Sequence, residues 1–140
     1  MFRMEYAGEG ELEQYLTFDG HISREEWRRK QRDSQVYLVW DDDAAVGYLR
    51  YGLFWDSIPF LNMIFFIPGY RGRGFGRQAM LQWEEEMRAL GHEAVMTSTQ
   101  ADEEAQHFYR RLGYRECGVL LLDQEPLVQP AELFFIKYLD

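Results

Sequence analysis

Cysteine is almost missing from this chain of 140 residues: Cys117 stands alone, which excludes an intramolecular disulfide and a cysteine-based zinc site and suits a reducing compartment. Its setting in "ECGVLLL", with no basic neighbour to lower the thiol pKa, predicts a small buried strand residue rather than a nucleophile. Long apolar runs are also missing. The longest, "MIFFI", is far too short to span a bilayer, and "MFRMEYAGEGELEQY" at the amino terminus holds no segment of signal length, so the expectation is a cytoplasmic protein with no membrane partner. Positive charge is in deficit. A formal net charge of −9 repels nucleic acid and anionic membranes and favours cationic small molecules or basic peptides. No repeat, low-complexity tract or Pro/Gly/Ser linker divides the chain, so residues 1–140 are read as a single domain.

What is present is ample material for a core: 46% hydrophobic and 16% aromatic residues, values of a globular chain. Strands are expected over Phe2 to Tyr6, Val36 to Trp40, Ala45 to Trp55, Phe60 to Ile67, Ala94 to Thr99, Glu116 to Leu122 and Leu133 to Tyr138. "DDDA" between the second and third reads as a hairpin, and the apolar side chains along Phe60 to Ile67 predict a central strand covered on both faces. Leu12, Tyr15 and Leu16 mark a short helix. Ser23 and Glu26 form a capping box for the next, with Ile22 and Trp27 at the staple positions and "RRKQR" as its solvated face. A third helix carries Phe75, Ala79, Met80, Trp83, Met87 and Leu90 on one stripe, with Glu84, Glu85 and Arg88 away from it and Gly91 as its stop. The fourth runs from Asp102 to Leu112 and ends at Gly113. This alternation implies an α/β fold in the broad sense, a mixed sheet with helices on its faces.

Against the acidic background, "PGYRGRGFGRQAM" from Pro68 to Met80 concentrates three arginines and four glycines between a strand and a helix. The first amides of a helix lack intrahelical partners and the dipole adds positive potential there, so such a junction suits a phosphate. Glycine lets a ligand approach the backbone, and Arg71, Arg73 and Arg77 add charge-assisted donors. Spacing narrows the ligand. Gly69 and Gly74 have a Walker gap but are followed by Phe75 and Gly76, so lysine and the magnesium-binding hydroxyl are absent. A dinucleotide fingerprint starting at Gly72 would place its third glycine on Arg77. One "RGRG" in an acidic chain is a poor nucleic-acid tract.

The remaining string, Arg71-Gly72-Arg73-Gly74-Phe75-Gly76, resembles the R/Q-x-x-G-x-G/A motif of the GCN5-related N-acetyltransferase (GNAT) family. "FFIPGYR" before it is similar to that family's V-x-P-x-Y-R segment, with Phe66 in place of Val. "DEEAQHFYRRLGY" from Asp102 to Tyr114 resembles its N-x-x-A-x-x-x-Y-x-x-x-G-[FY] helix. The resemblance covers roughly Phe60 to Tyr114. It implies a mixed, mostly antiparallel sheet of about seven strands flanked by four helices and splayed near the cofactor site. It further implies transfer of an acetyl group from acetyl-CoA to a primary amine, without a metal.

On that resemblance Arg71, Gly72, Arg73, Gly74, Phe75 and Gly76, with Arg77 nearby, would hold the pyrophosphate of acetyl-CoA. The backbone of Phe66 and Ile67 would pair with the pantetheine arm. Asp102, at the family's asparagine position, and Phe108 extend the cofactor contacts, Asp102 keeping a helix cap. Tyr109 matches the family's general acid, and the Phe66 amide is the candidate for stabilising the oxyanion. The base is unassigned: Phe60 to Ile67 offers only Asn62, leaving Asp56, His21 and Glu132 as routes through water. The acceptor is a cationic small-molecule or peptide amine, and Trp40, Phe54 and Trp55 suit its recognition, a core or a homodimer contact equally. Lack of a strand carboxylate also keeps open a non-catalytic acyl-CoA-binding module.

Overall fold

The computed structural model describes residues 1–140, whose contacts gather into two compact units, Met1–Gly52 with Leu61–Trp83 and Leu53–Phe60 with Glu84–Asp140. The elements are β1 (Phe2–Tyr6), α1 (Leu12–Leu16), α2 (Arg24–Arg32), β2 (Val36–Asp41), β3 (Ala44–Phe54), β4 (Ile58–Phe66), α3 (Phe75–Ala89), β5 (Ala94–Gln100), α4 (Ala105–Arg111), β6 (Arg115–Leu120) and β7 (Glu132–Tyr138). The strands form one seven-stranded sheet in the order β1-β2-β3-β4-β5-β7-β6, with β4 in the middle as expected. No helix is long and apolar enough to cross a membrane.

In the first unit β1, β2 and β3 form an antiparallel meander, from Phe2↔Asp41 to Tyr6↔Tyr37 and from Val36↔Arg50 to Asp41↔Ala44, with a bulge at Val39/Trp40. Asp42, at φ 53, makes the hairpin turn, a left-handed position that aspartate tolerates. Ser23 Oγ accepts from the Glu26 amide at 3.0 Å, so half of the expected capping box forms, while the Glu26 carboxylate turns to Arg29. α1 and α2 lay Leu12, Tyr15 and Trp27 onto Val36, Leu38 and Tyr48, with Ile22 packed beside them. "RRKQR" is not wholly a solvated face. Lys30 Nζ reaches in to the Tyr51 carbonyl (2.6 Å) and to Asn62 Oδ1 (3.3 Å), and burial lowers its pKa.

In the second unit β5 pairs with β7 from Ala94↔Tyr138 to Gln100↔Glu132, and β7 with β6 from Arg115↔Ile136 to Leu120↔Glu132, both antiparallel. α4 packs Tyr109 and Leu112 inward, and the Tyr109 ring lies 6.2 Å from that of Phe135. Gly91 and Gly113 terminate α3 and α4 at φ 98 each, as their positions in the sequence predict.

Five further expectations need correction. Cys117 is exposed, because it sits at the bulge of β6, a strand exposed along its whole length. Leu90 is 65% exposed where α3 frays into its stop. Glu84 is buried, because Tyr114 Oη (2.8 Å) and Lys137 Nζ (2.7 Å) both donate to it. β4 is only half covered, with Asn62 exposed and Met63 to Phe65 intermediate. Asp102 caps nothing: α4 starts at Ala105, and the turn before it is held by Glu103, which accepts from the Gln100 amide (3.1 Å) and the Thr99 hydroxyl (3.2 Å).

Candidate active site

Between β4 and α3 the chain makes one turn of 3-10 helix at Pro68–Tyr70 and then crosses Gly72 (φ 78) and Gly74 (φ 83) into the first turn of α3. Both glycines occupy the left-handed region, and a Cβ at either would stand in open space in front of the loop. The Gln78 amide closes the helix on the Gly74 carbonyl at 3.0 Å, which leaves the amides of Phe75, Gly76 and Arg77 without intrahelical acceptors. Phe75 anchors the turn in the core, its ring edge-on to Phe66 at 6.4 Å.

Arg71 folds back along β4: its Nε donates to the Phe66 carbonyl at 3.0 Å and its guanidinium lies 5.6 Å from the Phe65 ring. Arg73 stacks on Tyr70 at 4.4 Å, and Tyr70 Oη donates to Asp41 at 2.8 Å. That hydrogen bond raises the Tyr70 pKa, while the amino terminus and Tyr70 together lower that of Asp41. Arg71, Arg73 and Arg77 are all exposed, and none has a carboxylate within ion-pair distance. Three guanidiniums with no ion-pair partner thus stand at the start of a fifteen-residue helix, where the helix dipole adds positive potential.

Successive main-chain groups point to opposite sides of a strand. The Ile67 amide donates to the Val46 carbonyl of β3 at 2.9 Å, so the Phe66 amide and carbonyl point away from β3. Gly47 permits the close approach of β3, because a Cβ there would lie 2.3 Å from the Phe65 carbonyl oxygen.

In the second unit, Tyr109 is 5% exposed and burial pushes its phenol up to about 12, with a hydrogen bond from Thr97 pulling the other way. Its hydroxyl therefore stays protonated at neutral pH. Phe108 beside it is half-buried, its ring 5.4 Å from that of Tyr109, and Asp102 is exposed. Of the three candidate bases, His21 is exposed and its amide donates to Asp19 (3.0 Å), and Asp56 is exposed in the β3–β4 turn. Only Glu132 is held in place: its Oε2 accepts from Ser98 Oγ at 2.6 Å and its Oε1 from Gln129 Nε2 at 2.9 Å.

Sequence reasoning missed Asp19. Its side chain is fully buried, and its Oδ2 accepts from Arg50 Nε (2.8 Å) and Tyr15 Oη (3.1 Å). Burial raises the pKa of both Tyr15 and Tyr48 around it. Nothing local announces this pair, since 31 residues separate the partners.

The sequence profile of the acetyltransferase (GNAT) family matches residues 3–114. The chain belongs to the GNAT acetyltransferase family. Solved GNAT structures share its fold over nearly the whole chain. A GNAT-family acetyltransferase from Bacillus cereus ATCC 10987 superposes with a TM-score of 0.76 at 22% identity, over 99% of this chain and 97% of that one. The ribosomal-protein-S18-alanine N-acetyltransferase from Escherichia coli gives 0.80 at 14%, over 99% and 94%. A GNAT acetyltransferase from Elizabethkingia anophelis with acetyl-CoA bound gives 0.77 at 13%, over 99% and 98%. None of the curated proteins compared matches the chain.

Proposed function

We propose that the protein is an acetyl-CoA-dependent N-acetyltransferase that passes the acetyl group directly to a primary amine of a small molecule or peptide. The observation that carries this reading is the trio Arg71, Arg73 and Arg77, unpaired in a chain of net charge −9, beside the free amides of Phe75, Gly76 and Arg77. A diphosphate fits such a set of donors, with Gly72 and Gly74 leaving the approach clear. Acetyl-CoA supplies an acyl thioester already activated toward amines. Phe66, whose main-chain groups point away from β3, aligns the pantetheine arm, and its amide stabilises negative charge developing on the acyl oxygen. As nitrogen bonds to the acyl carbon and the C–S bond breaks, Tyr109 would give its phenolic proton to the departing sulfur, and the proton shed by nitrogen would return to the phenolate through water. A phenol at about 12 is protonated at neutral pH and available as a donor, but it is a weaker acid than a thiol at about 8.5, so the transfer is uphill and is completed by the proton that nitrogen releases. Asp102 and Phe108, by their place in the motif, flank the cofactor.

The test is a Tyr109→Phe variant assayed for CoA release over a panel of amines. Turnover is expected to fall about 100-fold while acetyl-CoA affinity stays within about twofold. Unchanged turnover would remove Tyr109 as the acid, and a wild-type protein that neither releases CoA nor melts higher with acetyl-CoA would end the enzymatic reading. One observation favours a second possibility, a non-catalytic acyl-CoA-binding module. β4 offers no carboxylate as base, and Asn62 is engaged by Lys30. Stabilisation by acetyl-CoA without CoA release from any amine would establish that module instead.

A further inference from the structure

One face of the second unit is apolar and open. Phe54, Trp55, Met96, Gly118, Leu120 and Phe134 line a groove of about 600 Å³, within the size range of small-molecule sites. Its floor is a ring cluster, with Phe60 5.8 Å from Phe134 and 6.0 Å from Phe54. Gly118 makes the room. It is paired across the ladder with Phe134, and a Cβ there would meet nothing within 4 Å. At the rim the chain accepts strain. Trp55 (φ 55) and Asp56 (φ 59) both occupy the left-handed region of a tight turn closed by the Ser57 amide on the Phe54 carbonyl (3.1 Å), positions that glycine and asparagine usually fill. The turn holds an indole that is 79% exposed.

The groove is not apolar throughout its face. Side chains two apart on a strand share a face, so Glu132 continues the row of Phe134 and Ile136, and across the ladder Ser98 is paired with Phe134. The Ser98 hydroxyl fixes Glu132 from that same face. A fixed carboxylate at the end of an aromatic trough complements a ligand that has an apolar body and a cationic nitrogen.

We infer that this groove binds the amine acceptor, and that the acceptor is an aryl- or alkyl-substituted primary amine whose apolar body fills the trough while its nitrogen donates to Glu132. The inference rests on the acetyl-transfer reading for the fate of that amine, but not for its binding. A polyamine, charged along its length, would leave the aromatic floor uncovered and is disfavoured.

Cys117, the only cysteine, lies on the groove wall and reports its occupancy. Alkylation of Cys117 by iodoacetamide, followed by mass spectrometry without acetyl-CoA, is expected to slow about tenfold when 2-phenylethylamine saturates the site. Ethylamine and spermidine should leave the rate unchanged. 2-Phenylethanol should protect only at about fivefold higher concentration, the margin of a partly exposed charge interaction, and Glu132→Gln should erase that margin. Gly118→Leu, which fills the trough, should abolish protection by 2-phenylethylamine while leaving the acetyl-CoA-induced rise in melting temperature intact. Protection by ethylamine equal to that by 2-phenylethylamine, protection by neither, or a free protein that is dimeric with Cys117 unreactive would each overturn the inference. If acetyl-CoA stabilises the protein and no amine protects Cys117, the groove assignment alone fails. If 2-phenylethylamine protects and acetyl-CoA does not bind, the groove stands and the acetyl-transfer reading fails.

Discussion

β2 and β6 are both six residues long and both carry valine and leucine, yet Val36 to Val39 are fully buried while every residue of β6 is exposed. The difference is cover. β2 lies in the middle of a three-stranded meander with Trp27 and Tyr15 packed on it, whereas β6 is the last strand of the sheet and four of its six residues border an open groove. Apolar residues on an uncovered strand contribute little to folding and are available to a ligand. Stability therefore resides in the first setting and recognition in the second.

The largest test of that contrast is Trp27→Ala, which empties the space above β2 and is expected to cost about 3–5 kcal/mol in urea unfolding. Next comes Asp19→Asn, which leaves Arg50, its side chain 12% exposed, without its carboxylate. A loss of about 3 kcal/mol is expected. Glu84→Gln should cost less, because Lys137, 23% exposed, can turn its ammonium toward water. Equal losses at the two sites would mean that burial of the cation is not what sets the cost.

Alkaline unfolding probes the tyrosines. Burial disfavours the phenolate of Tyr109, so its pKa in the folded chain, about 12, lies above the value near 10 of an unfolded one. The stabilisation is complete below pH 10 and is lost as pH rises from 10 toward 12, by about 2 kcal/mol for this residue. Tyr109→Phe should flatten that part of the stability profile, and Tyr15, Tyr48 and Tyr114, raised by burial too, should retain the remainder. Smallest of all, Val119→Thr on β6 is expected to shift stability by less than about 0.5 kcal/mol. A larger loss would show that β6 is covered in solution.

The glycine loop was legible because its signal is local. Positive φ at Gly72 and Gly74, the helix opening at Phe75, and the stops at Gly91 and Gly113 each depend on a few consecutive residues. Tyr109 was legible as a residue through its spacing in α4, but its raised pKa comes from the surroundings that bury it. Glu84 and Cys117 were misread for one reason. A helical stripe does not reveal that Lys137, 53 residues on, will neutralise a glutamate, and an apolar run does not reveal that no element will cover it.

By itself the sequence determined where strands, turns and helix ends fall, and that three arginines meet the start of α3, since periodicity, capping and glycine conformation act over a few residues. Tertiary structure alone decided which carboxylates are buried and which aromatic face stays open, because both depend on partners brought together from distant parts of the chain.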